Sequence, residues 1–149
     1  MSAAARKVHR RIRDLNRLLS QERYLPTTLM AASREISAPG CYIIWDKRDK
    51  NRPLYIGMAK TMLSARLKKH ILRGQTSFRN YLAHQTLRLG DIRFKSPEGR
   101  RAAYRRINQW ISGHCEFQVL AMKDPTEADL LEKFALSVLV PSLQYPDSR

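Results

Sequence analysis

Two short apolar runs, bounded by turn residues, stand out from a chain that is otherwise patterned as helix. They are Pro39-Gly40-Cys41-Tyr42-Ile43-Ile44-Trp45 and Leu54-Tyr55-Ile56-Gly57. Both are rich in β-branched and aromatic residues, which predicts two strands of a hairpin. The loop between them, Asp46 to Pro53, is charged and carries Asp-Lys and Lys-Asn turn chemistry. Side chains alternate along a strand. Tyr42 and Ile44 therefore share one face, and Cys41, Ile43 and Trp45 the other. On the second strand Tyr55 shares a face with Gly57, and Leu54 with Ile56. Two tyrosines can thus meet on one face, with Gly57 clearing space beside them.

Helical periodicity governs the rest. Residues 5–20 place Val8, Ile12, Leu15 and Leu19 on one stripe, with Lys7, Arg10, Arg13 and Arg17 around it. Pro26 breaks that pattern, and a second helix is expected over Pro26 to Ile36, with Leu29, Met30 and Ile36 inward. After Gly57, Thr61 is placed to cap a helix reaching about Leu72. Its inward stripe is Leu63, Leu67 and Ile71. Arg66 and His70 are four apart and stack on a neighbouring face. Ser77 to Leu89 is expected as another helix closed by Gly90, with Tyr81, Leu82 and Leu89 as apolar contacts. Ser96-Pro97-Glu98 opens a third. It turns Arg100, Arg101, Arg105 and Arg106 outward and Ala103, Ile107, Trp110 and Ile111 inward, and Gly113 is expected to end it. Cys115 to Met122 reads as a third strand.

Asp124-Pro125-Thr126-Glu127 starts a final helix with a capping-box pattern, running to about Val140 and stopped by Pro141. At 100° per residue, Ala128, Leu131, Ala135, Val138 and Leu139 define its apolar arc. Glu132 falls inside that arc, while Glu127 and Asp129 fall at or beyond its edges. A carboxylate centred on a buried face is costly unless a cation meets it. The alanines on either side leave room for one. The tail from Ser142 is expected to be loose.

The chain's 149 residues suit one compact domain. Its formal net charge of +15, from 28 basic and 13 acidic side chains, points to a polyanionic partner, held less tightly as salt rises. Nucleic acid is the first such partner and a membrane surface the other. No apolar run approaches the roughly 20 residues needed to span a bilayer. Met1 to Arg13 is basic without an apolar core, so no signal peptide is expected. Cys41 and Cys115 lack metal-type spacing and read as reduced core residues of a cytoplasmic protein.

The hairpin resembles the signature of the GIY-YIG nuclease family. Gly40-Cys41-Tyr42 stands where that family has Gly-Ile-Tyr, and Tyr55-Ile56-Gly57 matches the second tripeptide. The likeness extends from residue 39 to about 144. It implies an α/β (α+β) fold with a small three-stranded antiparallel sheet flanked by helices. It divides the chain into a basic helical arm (1–38) and a nuclease domain (39–149) with a helical insertion at about 75–114. It also implies an active site of Tyr42, Tyr55, Arg66, His70 and Glu132. Glu132 would hold one Mg²⁺, with Mn²⁺ as a substitute. Arg66 would contact the scissile phosphate. One tyrosine would activate water and the other hold phosphate or water. Tyr42 is the favoured base with His70 relaying its proton, and the reverse assignment stays open. A phenol needs nearby cations to lower its pKa for that task. The sequence departs from many relatives at Met58, where a lysine is usual and Lys60 stands two residues on, and at Gln144, where an asparagine is usual.

The activity implied is a divalent-metal-dependent DNA endonuclease acting on duplex or branched DNA. A restriction-type enzyme would cut as a homodimer, with the N-terminal arm as dimer surface or DNA clamp. The alternatives are a structure-specific repair, recombination or mobile-element nuclease, an RNA-directed protein, and an inactive nucleic-acid-binding module. Lys60, Lys68, Lys69, Arg100, Arg101, Arg105 and Arg106 are the expected DNA contacts, the last four beside Tyr104. Each has a plainer reading: half-buried strand tyrosines, solvated basic faces, a packed arm, and structural His84 and His114. Lys47, Arg48, Lys50 and Arg52 are as well explained by a solvated turn as by phosphate contact.

Overall fold

The hairpin forms the centre of the molecule. A computed structural model describes residues 1–32, 36–72 and 74–143, apart from the side chain of Lys50. Strand β1 (Gly40–Asp46) pairs antiparallel with β2 (Asp49–Ala59) on one side and with β3 (Cys115–Ala121) on the other. The sheet order is β2-β1-β3, so β1 is central and its residues 40–45 are all buried. The connecting turn is shorter than the expected loop, because β2 already begins at Asp49 and takes up the mismatch in register shifts around Trp45. Asp46 accepts hydrogen bonds from the Arg48 backbone and guanidinium, which closes the turn.

Among the described residues, six α-helices flank the sheet: α1 (Ala3–Leu19), α2 (Pro26–Ala32), α3 (Leu63–Ile71), α4 (Ser77–Tyr81), α5 (Pro97–His114) and α6 (Pro125–Leu139). The alternation of side chains divides the core in two. Tyr42, Ile44, Tyr55, Phe117 and Val119 face α2, α3, α4 and α5. Cys41, Ile43, Trp45, Ile56 and Leu120 face Leu15 and Leu18 of α1 and Ala128, Leu131 and Ala135 of α6. The fold is thus α/β with helices on both faces, as the resemblance implies.

Several boundaries differ from the pattern-based expectation. The stripe of α1 is buried only at Leu15 and Leu18, while Val8 and Ile12 are about half exposed. The first half of that helix is held instead by charge, with Arg11 paired to Asp14 and to Glu127 of α6. The helix ends where Gln118 of β3 donates to the carbonyls of Leu19 and Gln21. Helix α2 is assigned to Ala32, and Ser33 to Glu35 lie outside the described residues. Thr61 does not cap α3. Met62 occupies that place without a side-chain bond, and the N–H groups of Leu63 and Ser64 donate to the carbonyls of Ala38 and Ile36.

The expected helix over 77–89 is interrupted. After α4 a π turn spans Leu82–Thr86, Arg88 and Gly90 take positive φ, and a 3₁₀ turn covers Ile92–Phe94. Burying Phe78, Leu82 and Ala83 on one side requires the wider turn, closed by the Leu87 N–H to Leu82 carbonyl bond. Gly113 does not end α5, because stacking of His114 on Trp110 and a His114 Nδ1 bond to the Trp110 carbonyl carry the last turn through. In α6, Val138 is 53% exposed rather than inward. The chain reverses at Val140 (φ 47°), and Ser142 and Leu143 then donate to the carbonyls of Pro53 and Leu54 on β2. The last turn of α6 therefore projects past the sheet.

Candidate active site

Along β2, the edge strand, the two helical layers come together around the segment 57–60. There a cavity of about 510 Å³ opens, lined by Tyr55, Gly57, Met58 and Lys60 of the strand end, Arg66 and Lys69 of α3, Ser77 and Tyr81 of α4, and Asp129 and Glu132 of α6. Glu132 and Arg66 approach it from opposite faces of the sheet. They can share it only because β2 has no further strand beyond it.

Tyr42 lies behind this wall and is fully buried. It pairs with Gly57 across the hairpin, and its ring stacks on Tyr55 at 6.5 Å between centroids. A Cβ at Gly57 would stand 2.3 Å from the Tyr42 hydroxyl oxygen, so the glycine is what admits the ring. Gly40 is equally constrained, since a Cβ there would meet the Leu120 carbonyl oxygen at 2.2 Å. Both motif glycines serve close approach rather than an unusual backbone angle.

The Tyr42 hydroxyl is 2.5 Å from His70 Nε2, and His70 Nδ1 is 2.9 Å from Thr76 Oγ1. Arg66 donates to the same phenol oxygen. Burial, then the neighbouring Tyr55, raise the Tyr42 pKa, and Arg66 offsets only part of this. The expectation that local cations lower the phenol is therefore not met by the protein's own charges. Burial raises Tyr55 as well, against the pull of Arg66. Burial opposes the Arg66 charge, but its bond to the Tyr42 oxygen and the nearby Tyr55 and Glu132 more than offset this, so it remains charged. Its Nε is buried with no hydrogen-bond partner, a donor that a phosphate oxygen would satisfy.

Burial and the charges of Arg66 and Arg79 hold His70 down at a pKa of about 3, so its imidazole is neutral. With Tyr42 neutral and Arg66 donating into its oxygen, the phenol proton is directed at Nε2. The imidazole hydrogen is then assigned to Nδ1, facing Thr76. The unfolded chain binds a proton at His70 below about pH 6.5 that the fold refuses until about 3. Stability therefore falls as pH drops through that window, by up to about 1.4 kcal/mol per pH unit from this site, and levels off below it. His70→Gln is expected to flatten that part of the profile. Denaturant midpoints measured above, within and below the window check this; an equally steep profile in the variant would exclude His70 as the source.

The structure brings Tyr55, Arg66, Glu132, Lys60 and Lys69 to one cavity and sets Tyr42 and His70 directly behind it. Lys68 is exposed on α3 without lining the cavity. Arg100, Arg101, Arg105 and Arg106 are exposed along α5, also outside the cavity lining. Gln144 lies outside the described residues.

Three contributors escape the sequence pattern. Asp129, one turn before Glu132, lines the cavity although its helical angle places it at the edge of the apolar arc. Thr76 meets His70 while also capping α4 through the Arg79 N–H. Arg79, 1% exposed, donates to the carbonyls of Gly74 and His70 and to Asn108, which itself holds the Leu72 carbonyl. This buried guanidinium thus closes the end of α3 that carries His70. Burial lowers its pKa to about 10. The only signal for Arg79 in the sequence is its place between Phe78 and Leu82.

The donor set fits a hard divalent ion. Glu132 and Asp129 offer carboxylate oxygens to a cavity with room for water. No group of three or more His, Cys, Asp or Glu side chains suited to a metal occurs among the described residues. An ion held by so few protein ligands completes its shell with water and substrate oxygens, which is the habit of Mg²⁺. Asp129 is also paired with Lys133 at 2.8 Å.

In fold the chain is an α/β domain with a three-stranded antiparallel sheet and a closing helix. No family model matches it, and no curated protein matches it. Among solved structures it is similar to the GIY-YIG N-terminal endonuclease domain of UvrC from Thermotoga maritima bound to its catalytic divalent cation, magnesium. Identity there is 21% over 80% of this chain and 96% of that chain, with a TM-score of 0.46. A tyrosine-to-phenylalanine point mutant of that domain, also bound to its catalytic divalent cation, is 18% identical over 89% of this chain and 96% of that chain, with a TM-score of 0.44. At these identities and TM-scores the likeness carries no argument, and the fold and the site stand on their own geometry.

Proposed function

We propose that this protein is a divalent-metal-dependent endonuclease that hydrolyses phosphodiester bonds of DNA. One observation carries the reading: a carboxylate from α6 and a guanidinium from α3 face the same cavity as a hairpin phenol, over a glycine in the strand edge. Glu132, assisted by Asp129, would hold the ion. When bound, the ion supplies charge neutralisation at the phosphoryl and leaving oxygens. Arg66 would contact the scissile phosphate through its fork, with the unpartnered Nε among its donors. Tyr55, in the cavity wall, would hold phosphate or attacking water. Tyr42 would take a proton from that water as its own passes along the hydrogen bond to His70 Nε2, which has to bind it against the burial and the Arg66 and Arg79 charges that keep the resting imidazole neutral. Thr76 would fix the ring that receives it.

The test is nicking of supercoiled plasmid with Mg²⁺ or Mn²⁺, beside Glu132→Ala. Binding retained with no cleavage in any metal would sink the nuclease reading and leave a basic binding module. One such site cuts one strand, so a double-strand cut of restriction type needs two copies. Val8 and Ile12 on the exposed half of α1 are the surface we assign to that dimer. Sequencing ends produced from a random library separates a restriction activity, which gives one motif, from cutting at branches or lesions.

The arginines of α5 are proposed to grip the DNA backbone. Changing Arg100, Arg101, Arg105 and Arg106 together to alanine should weaken binding alike on all sequences. The slope of log K against log salt should drop by about 0.9 for each phosphate that is no longer neutralised. Filter binding across a salt series reads this; an unchanged slope would place those arginines off the DNA.

A further inference from the structure

A second cavity, of about 470 Å³, adjoins the candidate active site. Tyr81 lines both, as the wall between them. The chemistry on its two sides differs. On the first side stand Lys60, Arg66 and Lys69 with two carboxylates, a lining for phosphate and metal. On the second side stand Gln75, Asn80 and Gln85, with His84 and Asp91, over a floor of Ala83 and Ile92. Carboxamides present a donor and an acceptor together, the pairing that reads a base edge, and Asp91 is ion-paired with Arg93 in the same wall at 2.7 Å, so neither charge stands alone to draw a second phosphate.

This cavity exists because the helix is interrupted. The π turn at Leu82–Thr86 and the left-handed Arg88 and Gly90 swing the chain outward before Ile92–Phe94 returns it. On that returning turn Phe94, outside the cavity lining, is 86% exposed beside Arg93, which lines it. An exposed phenylalanine serves no packing purpose here. Stacked on nucleic acid, it would strengthen binding by roughly tenfold or more per base.

Within one nucleotide the base hangs a few ångströms from its phosphate, and the two cavities adjoin across the one side chain of Tyr81. We propose that this second cavity binds an unstacked nucleobase of the DNA strand being cut, adjacent to the scissile phosphate. Asn80 and Gln75 meet its edge, Tyr81 flanks it, Phe94 is exposed nearby to stack on a neighbouring base, and the nuclease gains preference for sites where a base can leave the helix. The proposal rests on the nuclease reading for which phosphate is cut, but not for whether a base enters.

The experiment therefore separates binding from cleavage. Duplexes carrying 2-aminopurine at successive positions around the cut site are bound to the protein in Ca²⁺, and their fluorescence is read. One position next to the scissile phosphate should brighten severalfold, and Asn80→Ala with Gln75→Ala should return it to the duplex level. In Mg²⁺ the same double variant should cut intact duplex roughly tenfold more slowly, and duplex with an abasic site at that position at the wild-type rate. Both residues are exposed, so the fold is not at risk. Brightening without cleavage in any metal would keep the base site and overturn the nuclease reading. Cleavage with no brightening at any position, and no defect in the double variant, would overturn the base site alone.

Discussion

Replacing Glu132 with alanine should lower the rate of plasmid cleavage by about a thousandfold or more, while binding of uncut DNA in the absence of divalent ions holds or tightens. The expectation follows from the cavity's charges. Arg66, Lys60 and Lys69 already supply positive potential to a phosphate there, and Glu132 opposes them. Removing it costs nothing in ground-state attraction. What would disappear is the oxygen proposed to hold the ion, and groups that stabilise transition-state charge are worth about 10²–10³ or more in rate. Asp129→Asn should cost much less, about tenfold, because that carboxylate lies at the edge of the apolar arc and is shared with solvent and Lys133. Two measurements are needed. Single-turnover cleavage in Mg²⁺ gives the rate, and Mn²⁺ binding followed by water-proton relaxation gives occupancy of the site. Loss of rate with undiminished Mn²⁺ binding would remove Glu132 from the ion and make it a base or a strut.

How far the sequence foretells this site depends on what kind of constraint places each residue. Tyr42 and Tyr55 are legible because strand alternation is strict and a short hairpin has one natural register. Glu132 is legible because a lone acid in an apolar arc is anomalous. Arg66 and His70 follow from helical spacing alone. None of these needs long-range knowledge. Arg79 and Thr76 do: they act on His70 across a break in the helical pattern, and apart from His70 and Asn108 their partners are backbone carbonyls and a backbone N–H that no side-chain periodicity records. The π turn is hidden for the same reason, since its apolar residues fit an α-helical stripe almost as well. Val8, Ile12 and Val138 look buried in the pattern because periodicity reports which side of a helix is apolar, not how far the sheet beneath it extends.

Gly57→Ala should destabilise the fold by about 3 kcal/mol and cut activity by at least about a hundredfold, although the substitution adds one methyl group. The usual reason for a glycine does not apply, since no positive φ is found there. The obstacle is the Tyr42 ring, whose Cζ and hydroxyl oxygen would lie 2.5 and 2.3 Å from the new Cβ. That ring cannot retreat easily. It is fully buried, stacked on Tyr55, and tied through its hydroxyl to His70 and Arg66. Either the ring tilts and breaks those bonds, or β2 moves away from β1; both shift Tyr55 and Arg66 relative to Glu132. In a chain of this length the effect should appear as a fall of roughly 10 °C in melting temperature. A double-mutant cycle isolates the cause. In a Tyr42→Ala background, the ring is gone and Gly57→Ala should cost little, giving a coupling of about 2 kcal/mol or more. If the two substitutions prove additive, the glycine is not there for the tyrosine, and the packing assigned to this hairpin is wrong.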